Sequence, residues 1–466
     1  MARMRKVGAL PWFLGLGILV AVVAVATLVI LSGTGGVRLE AISPGDGAGD
    51  VAITAPVRLS FSEAMDPGSV EAHFSVEPPV EGRWVFEGTD ATFWPAAAWS
   101  PARAYTITLQ AGATAGPGRE LQEDRVWQFE TREPQLLYLQ RTAVGGEVRQ
   151  LFAAVPGSGQ PRQLTEHPLG VFDYAVHPQG EAIVYSVLRE DGGSDLWQMD
   201  RQGQKQRLLL ACPEEACLGP AWSAGGDLLA FERRGIWAGA PNLDPQAARI
   251  WLLDPESGED RPLFDYDVPL HSPVWAPAGQ LLAYLSPVAS GIEVYDLVTE
   301  ELFQFGSEWG AVPAWSPDSR HLVVPELMLV GEDMVVRLLR LDLDGGGVLD
   351  ISGQEEMVQD VAPAWSPGGG WIAFGRQLLD AERWTPGRQI WLSRPDGSEA
   401  YPLLQEPMAD HFALRWRPDG AVLAYLREDL SQGPQPQPDV AVWVYDLVRR
   451  ETTFVAGDAV LPGWLP

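Results

Sequence analysis

The sequence predicts an all-β protein: an N-terminal transmembrane helix, a β-sandwich, and a seven-bladed β-propeller closed by the C-terminal strand. Three observations predict it. A Trp-centred unit recurs, with anchors at Val176, Trp222, Trp275, Trp315, Trp365, Trp416 and Trp464 that span 288 residues in six steps, a mean of 48. Periods of that size made of short strands belong to propellers. Upstream of the repeats, alternating runs bounded by Pro and Gly fill about a hundred residues, the spacing of a sandwich. Ahead of those runs lies an uncharged apolar stretch long enough to be a helix.

That stretch covers residues 7–32 and follows Arg3, Arg5 and Lys6. Its length suffices to cross a hydrocarbon core of about 30 Å. Positive charge before the span and none just after it places the N-terminus in the cytoplasm and the rest of the chain outside. Residues 1–36 are therefore read as a cytoplasmic N-terminus and signal anchor, giving a single-pass membrane protein with its bulk extracytoplasmic. Cleavage after the small-x-small sequence Ala24-Val25-Ala26 is the rival reading, but residues 27–31 continue the apolar run.

Residues 37–132 form the expected sandwich. Its strands are read at PVRLSFS, HFSVEP, GRWVFEG, ATFWP, AYTITLQ and VWQFET. The segment beginning SPGDGAGDVAITAPVRLSFSEAMDPGSV, and within it Phe61-Ser62-Glu63-Ala64-Met65-Asp66, resembles the bacterial Ig-like domains of S-layer and surface proteins. The resemblance implies a spacer. The joint REPQ at 132–135 is too short for a flexible tether.

Residues 133–466 form the expected propeller. The clearest copies read PAWSAGGDLLAF, PVWAPAGQLLAY, PAWSPDSRHLVV and PAWSPGGGWIAF. In each, a short strand carries the Trp, and the tetrapeptide after it suits a turn in which Pro supplies φ near −65°. An aliphatic second strand, a third closing on Asp/Gly-rich hairpin chemistry, and a short fourth complete the unit. The earliest copy, from Leu136, has no first strand before it, and the chain ends on the spare strand AVLPGWLP. Placing 459–466 beside 136–140, to complete the blade of 136–165, satisfies both and leaves no open sheet edge. These units resemble the TolB-type propeller repeats, bacterial relatives of WD40 repeats, over residues 136–466.

With 33 basic against 62 acidic side chains the formal charge is −29, which opposes binding to nucleic acid. The chain carries no Gly-x-Ser-x-Gly elbow, His-Glu-x-x-His, phosphate-cradling Gly loop with Lys, or dinucleotide fingerprint. No cofactor is expected. Cys212 and Cys217, five apart, are too few for the usual zinc site and are read as a disulfide across a short loop. His167, His271 and His411 fall at connections from an outer to the next inner strand. Some seven-bladed relatives that cleave acidic sugars by β-elimination hold a metal with histidines there, so the resemblance keeps these three as a weak alternative to dispersed loop histidines. The Asp-rich turns LDLDGGG and RPDGS lack the EF-hand pattern and are read as hairpins.

Arg141, Arg189, Arg233, Arg376 and Arg427 follow the aromatic that closes the second strand. Blade geometry would gather them on the face of the outer-to-inner connections, either as a rim for anionic partners or in local ion pairs. The longest insertions, from Arg233, Glu326, Gly375 and Glu428, share that face and carry Trp237, Trp384, Leu327 and Met328 without a strand pattern to bury them. The binding residues read from sequence are thus Arg141, Arg189, Arg233, Trp237, Arg376, Trp384 and Arg427. The favoured function is non-catalytic: a membrane-anchored extracytoplasmic scaffold presenting the propeller to an envelope protein or glycan. The alternative is an extracytoplasmic carbohydrate-active lyase or hydrolase at the channel mouth.

Overall fold

The computed structural model describes residues 36–142, 148–431, 433 and 440–466. They fall into two compact units. One takes in the described residues 36–51 with Ala55–Ala96 and Ala102–Thr131; the other takes in Ala52–Thr54, Ala97–Pro101 and the described residues from Arg132 to Pro466.

The first unit holds two four-stranded sheets. One runs in the order Leu39–Ser43, Val57–Phe61, Asp90–Pro95, Gly82–Glu87; the other runs Ala48–Val51, Arg125–Thr131, Ala104–Leu109, Phe74–Glu77. Alternation decides which side chains go inside. Val57, Leu59 and Phe61 are buried while Arg58 is exposed, and Tyr105, Ile107 and Leu109 repeat the pattern. The sequence reading missed one helix, Pro67–His73. Asp66 caps it by accepting from the Ser69 amide at 2.7 Å, Pro67 enters at the first turn, and Val70 is its buried side chain.

That helix, about 10 Å long at 1.5 Å per residue, is far short of a bilayer core. No described helix is long and apolar enough to cross a membrane. The predicted anchor over residues 7–32 lies outside the described residues. The single-pass, membrane-anchored localisation is therefore corrected: no described element supports it.

The second unit repeats one antiparallel four-stranded meander. His271–Trp275, Leu281–Ser286, Gly291–Asp296 and Leu302–Gly306 make one copy; Ala409–Trp416, Val422–Asp429, Val440–Asp446 and Glu451–Gly457 make another. Single parallel bridges, Ser194↔Ala216 and Val336↔Gln359, join neighbouring copies into larger sheets. The first copy along the chain takes its inner strand from the C-terminus: Ala459–Leu465 lies antiparallel to Gln135–Arg141, with Trp464 opposite Leu136 and Ala459 opposite Gln140.

Second strands are buried on both faces, and the faces serve different neighbours. Leu137 and Leu139 pack with Ile183 and Tyr185 of the next copy. Leu136 and Tyr138 pack with Val422, Ala424 and Trp464 on the other side. An almost continuous apolar run is what such a position requires.

Two features of the inner strands explain the Trp repeat. The indole Nε1 donates to the carbonyl of the residue just before the preceding anchor: Trp275 to Ala221, Trp315 to Val274, Trp416 to Ala364 and Trp464 to Arg415, all at 3.0–3.1 Å. These four Trp thus fasten their copies to the ones before. Trp365 instead donates to Gly369 within its own hairpin at 3.1 Å. Three residues ahead of the anchor the strand bulges, and Gly219, Ser272, Ala362, Ala413 and Leu461 sit there with φ between 52° and 59°. The ladder shifts register at the same points.

Candidate functional site

The five arginines read as a basic rim are each matched to carboxylate. Arg376 is the extreme case: its side chain is 1% exposed, forks onto Asp360 at 2.7 and 2.5 Å, and reaches the Ser352 carbonyl at 2.7 Å. The Phe374 and Trp391 rings flank its guanidinium at 5.0 and 4.9 Å. Burial pushes the Asp360 carboxyl above its ordinary value, and the Arg376 guanidinium works against that rise. Arg189 pairs with Asp195 and Asp191 and donates to the carbonyls of Cys212 and Glu215 at 2.8 and 3.1 Å. Arg233 pairs with Asp260 and lies 3.8 Å over the Trp251 ring. Arg427 pairs with Glu406 and Arg141 with Asp458. Of the two readings the arginines allowed, the structure forms the local ion pairs, and Arg376 lies inside the protein.

The aromatic part of the reading falls differently. Trp237 is 74% exposed at the tip of Leu229–Trp237, opposite Ala240, and Trp384 is 56% exposed. The hairpin of His321–Val330 and Asp333–Asp342 has ten residues in each strand and ends on exposed Leu329 opposite exposed Met334. These four side chains all belong to connections from second to third strands, which antiparallel alternation places on one face. Leu327 and Met328, singled out from sequence, are only partly exposed. Of the insertion from Glu428, residues 432 and 434–439 lie outside the described residues.

Cys212 and Cys217 form a disulfide, with both residues buried. The histidines are held separately. His411 is fully buried and its Nδ1 is 2.8 Å from the Arg388 carbonyl; His271 Nδ1 is 3.0 Å from Ser272 Oγ; His167 packs against the Tyr185 and Trp197 rings. Burial depresses the proton affinity of all three. Among the described residues no group of three or more His, Cys, Asp or Glu side chains is placed to hold a metal ion. The weak alternative of a histidine metal cluster is corrected on that ground.

Two polar features on the inner strands escaped the sequence reading. The bulge frees the amide three residues before the anchor, and in two copies a carboxylate of the preceding copy receives it: Gly219 N–H donates to Asp173 and Ser272 N–H to Glu232, both at 2.6 Å. Asp173 also accepts from the Ser186 hydroxyl. Burial pushes its carboxyl up to about 6, with Glu232 adding to the rise and the two hydrogen bonds opposing it. The second feature is Arg415, the residue immediately before Trp416. It is exposed to solvent, yet burial lowers the proton affinity of its guanidinium. Its side chain donates to the Leu414 carbonyl at 2.9 Å, and no carboxylate pairs with it among the described residues. A signal was available: the corresponding residue in the other copies is Ala, Val or Gly.

Residues 34–131 match the family described as the bacterial Ig-like domain. Over 171 residues the chain is 22% identical to the uncharacterized peptidase YuxL of Bacillus subtilis, a stretch that is 36% of this chain and 23% of that protein. The match therefore spans under a quarter of that relative's length. A structure from a study of two prolyl endopeptidases superposes with a TM-score of 0.50 at 10% identity, covering 78% of this chain and 50% of that one. TolB from Acinetobacter baumannii gives 0.43 at 12% identity, covering 84% and 83%; a putative TolB from Agrobacterium tumefaciens gives 0.39 at 19%, covering 54% and 86%. The likeness is one of fold. The chain joins a bacterial Ig-like domain to a β-propeller with TolB and other propeller proteins among its structural neighbours.

Proposed function

We propose that this protein is a non-catalytic binding module whose propeller, over residues 133–466, offers the face of the second-to-third-strand connections to a protein partner, with the domain of 37–132 as spacer. The observation that carries the reading is the pairing of two opposites on that face. Its arginines are neutralised by neighbouring carboxylates, whereas Trp237, Leu329, Met334 and Trp384 stand exposed. Exposed aromatic and aliphatic tips on a rigid scaffold are the anchors of an interface, because burying them releases apolar surface at small entropic cost. A glycan stacking on the indole faces is the other occupant this chemistry accepts.

We also read the ring as seven-bladed. Support comes from the hydrophobic clusters, each of which straddles two consecutive copies. They run from Leu137 with Ile183 through to Leu426 with Tyr138, which returns to the start. The lyase or hydrolase alternative finds no group of three or more His, Cys, Asp or Glu side chains placed to hold a metal ion among the described residues.

Affinity capture from the native source with the wild type and with the combined Trp237→Ala, Leu329→Asp, Trp384→Ala variant tests the proposal. A partner retained by the wild type should be lost from the variant while the melting temperature stays within a few degrees. Equal capture by both would contradict it.

A further inference from the structure

The repeat isolates one side chain away from the loop-rich face. Immediately before the anchors the inner strands carry Ala175, Ala221, Val274, Ala314, Ala364 and Gly463, and in one copy Arg415. The indole bonds land on the carbonyls at these positions in four copies, so the positions are structurally equivalent. All of them keep solvent access although Trp222, Trp275, Trp315 and Trp464, one residue on, are buried. In a propeller the inner strands surround the axis, so this column of residues lines the axial channel. Its wall is small and apolar except at Arg415.

In the neighbouring copy the equivalent position leaves room for the Tyr174 ring. Gly463 stands at the same position in the adjacent inner strand, and a Cβ there would come within 2.8 Å of the Tyr174 hydroxyl. That hydroxyl lies 2.6 Å from the Leu461 carbonyl and 3.0 Å from the Leu137 carbonyl. It is near enough to Arg415 for the two to influence each other electrostatically. Arg141, Arg189, Arg233, Arg376 and Arg427 each have a carboxylate at hand; Arg415 has a single backbone carbonyl. A solvent-accessible guanidinium with one backbone carbonyl for a partner keeps most of its N–H donors free for an incoming anion. In a protein of net charge −29 it is also a place where a negative group meets local attraction.

We propose that Arg415 is the recognition residue of a carboxylate site in the axial channel, its guanidinium forking onto a ligand carboxylate beside the Tyr174 hydroxyl. One guanidinium matches one negative charge and the planar fork matches carboxylate geometry. A phosphate dianion would bring a second charge that nothing else in the column balances. The column around Arg415 is small and apolar, and the C-terminus of a peptide of small apolar residues fits that description. This site is separate from the loop-rich face and stands or falls independently of it.

Saturation-transfer NMR and calorimetry on the full chain decide the matter, with N-acetyl-trialanine bearing a free carboxylate, its C-terminal amide, and inorganic phosphate as probes. The acid should bind and the amide should bind at least about tenfold more weakly. Arg415→Met should abolish binding of the acid, Arg415→Lys should retain part of it, and Arg320→Met, at an exposed site, should leave it unchanged. Thermal melts establish that each variant is folded, and the lysine variant decides if the methionine variant is not. Equal binding of acid and amide, unaltered binding by the methionine variant, or no binding of any probe would each overturn the site. Phosphate binding as tightly as the acid would overturn the ligand class.

Discussion

At the scale of single residues, charge in this protein is organised around burial more than around display. Arg376 with Asp360 and Arg234 with Glu232 are enclosed pairs, which cost desolvation and specify geometry. Asp173 is a carboxylate with no cation paired to it among the described residues, held by the Gly219 amide and the Ser186 hydroxyl. Its folded value of about 6 lies above the ordinary 3.8, so the folded state binds this proton more tightly than the unfolded one. Its contribution to stability is complete below about pH 4 and is lost as pH rises through about 6. Asp173→Asn keeps an acceptor for the amide and a donor for the hydroxyl while removing the charge. Urea titrations should show the variant more stable by about 1–3 kcal/mol at pH 8, with the gain vanishing below pH 4. A loss of stability at both pH values would contradict the assignment. Residues of this kind were hard to read from sequence. The strand-end arginines were visible as a pattern, but their partners came from other strands and turned an apparent rim into ion pairs. Arg415 was visible too, as the one charged residue in a column of small ones, but a single departure in one copy is a weaker signal than a repeated pattern.

At the scale of elements, the hairpin after each Trp follows from its residues. Four positions past the anchor the chain is left-handed at Gly180, Gly226, Gly279, Ser319, Gly369 and Gly420. Gly, and in one copy Ser, accepts that conformation. Ser223, Ser316 and Ser366 then accept the amide five residues on at 2.9–3.1 Å, closing the turn from within. Position and space make separate contributions. A Cβ at Gly279 would meet nothing within 4 Å, whereas one at Gly226 would fall 2.0 Å from His177 Nε2, whose ring packs edge-on against Trp222 at 5.0 Å. Gly279→Ala should cost the left-handed strain alone, about 1–2 kcal/mol, and Gly226→Ala measurably more. Equal losses in chemical denaturation would show that the His177 packing is soft. The turns were legible because Gly, Pro and Ser announce them. The bulges three residues before five of the Trp were not, since Ser272, Ala362, Ala413 and Leu461 carry no mark of a left-handed backbone. Tertiary pairing imposes that conformation. The helix Pro67–His73 was missed for a different reason: at seven residues it is too short for its periodicity to stand out from the strands around it.

At the scale of the whole molecule, the repeat works as a chain of fastenings in which the indoles of Trp275, Trp315, Trp416 and Trp464 grip the copy before them and each second strand supplies both of its neighbours. The ring depends on its ends, because the first copy along the chain owns only three strands until Ala459–Leu465 arrives. This much was readable from the count of anchors against second strands, since an unmatched Trp464 and an unmatched Leu136 call for one another. Hydrogen exchange compared between the full chain and a chain ending at Asp458 tests the fastening directly. The account predicts that amides 135–141 lose protection, that protection around Tyr174 falls with them because its hydroxyl loses the Leu461 carbonyl, and that the melting transition moves down and broadens. Unchanged protection across 135–141 in the shortened chain would contradict it.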